Sequence, residues 1–100
     1  MKLRTFLVAA LAVSSFSALA ESLDAMYPAP WQGGSNAGIS QALAEEGIEG
    51  CAKYQYRVSS KSRSEFLVYC YKGKRPTWAY MVWPNIHKVL GPYAPDNSLL

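Results

Sequence analysis

The chain has 100 residues, ten Lys plus Arg against seven Asp plus Glu, and a formal net charge of +3. This length holds one domain, and so small an excess of cations gives no electrostatic footprint for nucleic acid. Half the residues are hydrophobic, yet no apolar run approaches the about twenty residues that a membrane span requires.

The first segment has three parts. Met1-Lys2-Leu3-Arg4 is a short basic start, Thr5 to Val13 is apolar, and Ser14 to Ala20 is small and polar, ending Ala18-Leu19-Ala20 before Glu21. That is the layout of a secretory signal peptide over residues 1–20 with an A-x-A cleavage site. The residue after the cut is Glu21 rather than Cys, so a lipid anchor is not indicated. The expectation is a bacterial protein that is periplasmic or secreted and is not an integral membrane protein after cleavage. Removing twenty of the 100 residues leaves 80, and Lys2 and Arg4 leave with them, so the charge falls from +3 to +1. The high pI of about 9 therefore belongs to the precursor, and no nucleic-acid partner is expected.

Residues 21–34 hold Tyr27-Pro28-Ala29-Pro30-Trp31 and Gly33-Gly34. Two prolines and a glycine pair oppose both a regular helix and a central strand. The expectation is an extended arm that lays Tyr27 and Trp31 on the domain; the competing reading, a proline-rich ligand segment, has too few P-x-P units.

A small α+β domain is expected over residues 35–93. Ser35 or Asn36 can cap a helix whose apolar positions Ile39, Ala42 and Leu43 recur at helical spacing. Gly47 reads as its left-handed stop, with Ile48 folding back on Leu43. So short a helix needs a partner, and the following residues supply a sheet. Residues 51–58 alternate Ala52, Tyr54, Tyr56 and Val58 with Cys51, Lys53, Gln55 and Arg57, the period-two pattern of a half-buried strand. Residues 65–71 are apolar on both faces, as a central strand would be, and residues 77–83 form a third strand ended by Pro84. The expected fold is one N-terminal helix packed on a three-stranded antiparallel meander. Ile86, Val89 and Leu90 suggest a short C-terminal helical turn, and residues 94–100 an irregular tail.

Cys51 and Cys70 are the two cysteines. Export favours their oxidation, and two cysteines allow one connectivity. Setting them opposite each other centres the first turn on Ser60-Lys61. That register puts Ala52, Tyr54, Tyr56 and Val58 on one side with Leu67, Tyr69, Tyr71, Ala79, Met81 and Trp83, under the helix. The other side then carries Lys53, Arg57, Phe66, Val68, Trp78 and Tyr80, which form the candidate binding face.

Chemistry is sparse. The sole histidine, His87, has no evident orienting partner for general-base work, and a lone His beside two oxidised cysteines offers no metal site. Glu45, Glu46 and Glu49 fall where a helix presents a solvated face. No G-x-S-x-G, S-x-x-K or phosphate-loop pattern occurs, so no catalytic residue, metal or cofactor is assigned. Aromatics are the one compositional excess, eleven of the 80 residues after the leader. The reading is an exported, non-catalytic interaction protein of inhibitor or immunity type, meeting an unknown protein or envelope component. The alternatives are a small hydrolytic enzyme using His87 and a self-associating envelope structural component.

Overall fold

The computed structural model describes residues 22–28 and 30–100; the expected leader at 1–20 lies outside them. Among the described residues, two helices, four strands and two 3-10 turns follow in order: α1 (Leu23–Met26), α2 (Ala37–Glu45), β1 (Tyr54–Val58), β2 (Phe66–Lys72), β3 (Arg75–Trp83), a turn at Pro84–Ile86, β4 (Lys88–Tyr93) and a turn at Asn97–Leu99. The strands form one antiparallel meander in the order β1-β2-β3-β4. The fold is thus a short helix on an antiparallel sheet with one disulfide, and the sheet has four strands rather than three.

Helix α2 begins and ends on the residues that sequence logic selects. Asn36 is its N-cap, the side-chain oxygen accepting from the Ile39 N–H at 3.0 Å. At the other end Gly47 adopts φ +68°, the Ile48 N–H donates to Leu43 O and the Gly47 N–H to Ala44 O. These two bonds define a Schellman stop, which left-handed glycine permits without strain. The buried stripe Ile39, Ala42 and Leu43 packs on Tyr54, Val68, Cys70, Tyr80 and Val82 of the sheet. Tyr54 also ties the helix down by its hydroxyl, which accepts from the Asn36 N–H at 2.8 Å, donates to Asn36 O at 3.0 Å and meets Ser40 Oγ at 2.7 Å.

The register differs from the expected one, and the faces change with it. Tyr54 lies opposite Cys70, Tyr56 opposite Val68 and Val58 opposite Phe66. Cys51 precedes β1 and reaches Cys70 from the loop, with Cα atoms 4.8 Å apart; the bridge is not a rung of the ladder. The Ser59 N–H donates to Glu65 O, so the first turn spans residues 60–64. A slip that pairs even with even positions, instead of even with odd, turns β2 over relative to β1. The helix therefore covers Phe66, Val68, Tyr80 and Val82 together with Tyr54 and Tyr56. Leu67, Tyr69, Ala79 and Met81, expected beneath it, lie on the opposite face.

That opposite face is covered by both ends of the described chain. Leu23, Met26, Tyr27 and Trp31 from the arm and Leu99 from the tail pack on Leu67, Tyr69 and Ala79. The arm is not extended throughout, because Ser22 caps the single turn α1 ahead of the prolines. Gln32 then exchanges two backbone hydrogen bonds with Tyr56, covering the edge of β1. Arg57 fastens arm to tail. Its guanidinium lies 4.6 Å from the centre of the Trp31 ring and donates to Tyr27 O at 3.2 Å, Asp24 Oδ1 at 3.2 Å and Leu99 O at 2.9 Å. Trp31 Nε1 donates to the same Leu99 carbonyl at 2.8 Å.

The segment expected as a short helical turn forms β4 instead. His87 takes a left-handed φ of 52° after the Pro84–Ile86 turn, which reverses the chain into a strand against β3. Ala79 pairs with Tyr93 and Met81 with Leu90, so β4 carries a bulge between them. Gly91 sits in that bulge at φ +136°, and a Cβ there would come 2.7 Å from Tyr80 Cδ1 and 2.9 Å from Ala79 O. Only glycine fits.

Candidate functional site

The β2–β3 hairpin ends in the two-residue turn Gly73-Lys74, closed by the Lys72–Arg75 pair. Gly73 has φ +68° and Lys74 has negative φ, the arrangement of a type II′ turn, whose twist suits a hairpin. Behind the tip the register shifts between Cys70 and Tyr71, so Thr77 is an extra residue in β3. Thr77 Oγ1 donates to Cys70 O at 3.2 Å. Bulges of this kind re-aim side chains, and Trp78 follows this one. It lies on the helix-covered face of the sheet but past the helix's protection, 49% exposed.

Two open depressions adjoin the hairpin end. One, of about 350 Å³, is bounded by Gly33, Gly34, Gln55 and Lys74; the other, of about 600 Å³, is bounded by Glu49, Gly50, Thr77 and Trp78. Lys53, Tyr71 and Gly73 belong to the walls of both. The Tyr71 N–H donates to Lys53 O at 2.9 Å and its hydroxyl donates to Gln55 Oε1 at 3.1 Å, which holds the shared wall in place. Burial raises the Tyr71 phenol pKa above its usual value. Lys53, Lys72, Lys74 and Arg75 are exposed, and none of the four forms an ion pair among the described residues. The disulfide, its cysteines 8% and 1% exposed, staples the loop carrying Lys53 to the strand carrying Tyr71.

The six residues expected on one binding face separate. Lys53 and Trp78 line the same depression. Phe66 is half-buried in the helix-side cluster, its ring edge-on to Tyr56 at 5.6 Å, while Val68 and Tyr80 are buried beneath α2. Arg57 points to the other face and is enclosed by Trp31, Tyr27 and Leu99. The face expected to be open is thus covered, because the real register exchanges the faces of β2 and β3. Sequence reasoning leaves Lys72 to Pro76 as the link between the second and third strands, and it places Tyr71 and Thr77 in those strands with no site role. The signal was there in the four-residue run Lys-Gly-Lys-Arg between Tyr71 and Trp78.

His87 has a carboxylate partner after all. Its Nδ1 lies 2.8 Å from Glu45 Oε1, linking the β3–β4 connection to the end of α2, with side chains 62% and 45% exposed. The pair stands on the open surface and lines neither depression at the hairpin end. Among the described residues no group of three His, Cys, Asp or Glu side chains is placed to hold a metal ion. No helix among them is long and apolar enough to cross a membrane. No family model matches this sequence, and no significant match was found among curated proteins or solved structures.

Proposed function

We propose that this chain is an exported, non-catalytic interaction protein that docks on a partner protein through its β2–β3 hairpin end, as small inhibitors and immunity-type proteins do. One observation carries this reading: a half-exposed Trp78 stands beside lysines that form no ion pair among the described residues. Trp, Tyr and Arg are the side chains that most often dominate interface energetics. Both faces of the sheet are occupied elsewhere by α2, the arm and the tail, so packing does not account for this exposure. The leader expected at residues 1–20 and the oxidised Cys51–Cys70 pair both support export to an oxidising compartment. The test is affinity capture from the source envelope fraction with the leaderless, oxidised protein as bait. Trp78→Ala should abolish capture of a partner that the wild type retains, with the thermal midpoint unchanged. Undiminished capture by Trp78→Ala would remove this surface from consideration.

Self-association is the second reading, favoured by Leu90 and Tyr93, which β4 leaves 37% and 46% exposed at the end of the strand order. Pro92 in the same strand lacks an N–H for edge pairing. Light scattering after size exclusion decides it: a monomer at micromolar concentration argues against a self-associating envelope component.

A further inference from the structure

The hairpin end is an exposed projection beside two adjoining depressions that share Lys53, Tyr71 and Gly73 as wall residues. Gly73 and Lys74 form its tip, Lys72 and Arg75 its flanks, and all four are exposed. Resting on the reading that this end is the docking surface, we propose that the partner is a protein with a carboxylate-lined cleft, into which the Lys72–Arg75 tip inserts.

Three physical features support that occupant. The first is charge: three cations stand within the four tip residues and Lys53 stands beside them. Among the described residues, Glu49 is the one carboxylate on the walls of the two depressions. A surface of one sign steers and selects a partner of the other. The second is the kind of cation. Three of the four are lysines, mobile point charges that suit carboxylates spread over a protein surface; bidentate capture of a single phosphate favours arginine. The third is shape and rigidity. The Gly73-Lys74 turn and its Lys72 and Arg75 flanks are exposed at the end of the hairpin, a convex tip that fits a cleft better than it fits a flat surface. The tight two-residue turn, the Thr77 bulge and the disulfide behind the tip limit the freedom it would lose on insertion, which lowers the cost of binding. Trp78 and Tyr71, at the base of the projection, supply apolar surface for the cleft's rim.

The test uses the leaderless, oxidised protein, isotope-labelled for amide NMR and titrated with two probes: poly-L-glutamate and polygalacturonate of matched charge. Poly-L-glutamate should shift the amides of Lys53 and of residues 71–78. Its affinity should fall about tenfold in Lys72→Glu/Lys74→Glu and again on raising salt from about 50 to about 300 mM, because exposed charges are screened over that range. Arg63→Glu, an exposed cation on the β1–β2 turn, should leave it unchanged. Equal losses in Arg63→Glu and the tip variant, or shifts scattered over the surface, would overturn the proposal. Tighter binding of polygalacturonate at the same amides would also overturn it, in favour of a glycan. The affinity capture above keeps the two readings apart. Capture lost with Trp78→Ala but kept with Lys72→Glu/Lys74→Glu overturns the acidic cleft and leaves the docking surface; capture kept by both overturns the two together.

Discussion

Arg57→Met tests whether the arm and tail belong to the folded core. The substitution keeps most of the aliphatic stem over Trp31 and deletes the guanidinium. The bond to Asp24 matters least, because that carboxylate is 75% exposed and pairs of this kind contribute about 0–1 kcal/mol. The bonds to the Tyr27 and Leu99 carbonyls matter more, since a charged donor to a backbone acceptor contributes about 1.5–3 kcal/mol. Leu99 O keeps its bond from Trp31 Nε1, so the main orphan is Tyr27 O. Loss of the cation over Trp31 adds about 0.5–1 kcal/mol. Against these stands a gain, because Arg57 Nε is buried without a hydrogen-bond partner and its desolvation disappears with it. The balance is a destabilisation of about 2–3 kcal/mol. Urea unfolding monitored by far-UV circular dichroism measures it, and amide exchange should show residues 22–32 and 96–100 losing protection first. Asp24→Ala should cost less than about 0.5 kcal/mol in the same assay. A loss below about 0.5 kcal/mol for Arg57→Met, with arm protection intact, would refute the latch.

Further outcomes follow from the same packing. Replacing both cysteines by alanine frees a segment whose ends are 19 residues apart, and loop-closure entropy puts the loss at about 3 kcal/mol, readable as a drop in the urea midpoint. Gly91→Ala combines a backbone conformation that side chains rarely adopt with two contacts under 3.0 Å; it should cost about 2 kcal/mol or more and broaden the amide signals of β4. Tyr54→Phe removes the hydroxyl that ties down the N-terminus of α2 and should cost about 1–2 kcal/mol by thermal unfolding, with no loss of poly-L-glutamate binding. Stability should also fall in alkali. Burial, the hydrogen bond to Glu65 and the charge of Glu65 all raise the Tyr27 phenol above its usual 10.0, and burial raises Tyr69. The folded state therefore holds these protons more tightly than the unfolded one. Their contribution is complete below pH 10 and is lost as pH climbs beyond it. Tyr27→Phe should flatten that decline, and an unchanged alkaline slope would count against the assignment.

The helix was legible because its signals are local: a capping Asn36, an apolar stripe and a left-handed Gly47 within twelve residues. The strands were legible from alternation, but their register was not. Placing Cys51 opposite Cys70 assumed that a disulfide between strand-like segments is a ladder pair. In the fold Cys51 belongs to the preceding loop, and one change of parity exchanged the faces of β2 and β3. β4 was hidden because Ile86, Val89 and Leu90 imitate helical spacing while Gly91-Pro92 argues against a strand. An edge position with a bulge tolerates both residues. Arg57 read as an outward-facing cation because its acceptors are backbone carbonyls 30 and 42 positions away, which no pattern of residue types encodes. At the candidate site, Lys53 and Trp78 were legible as a cation and an aromatic. Their meeting on one depression at the base of the hairpin depended on the Thr77 bulge, which the sequence does not announce.

Docking through the β2–β3 hairpin end leaves a footprint in backbone amide exchange. Hydrogen–deuterium exchange of the oxidised protein, alone and bound to its captured partner, tests it most directly. Exchange should slow at Lys53 and residues 71–78, with β4 unchanged. Protection confined to residues 88–93, with the hairpin end exchanging as fast as in the free protein, would contradict it.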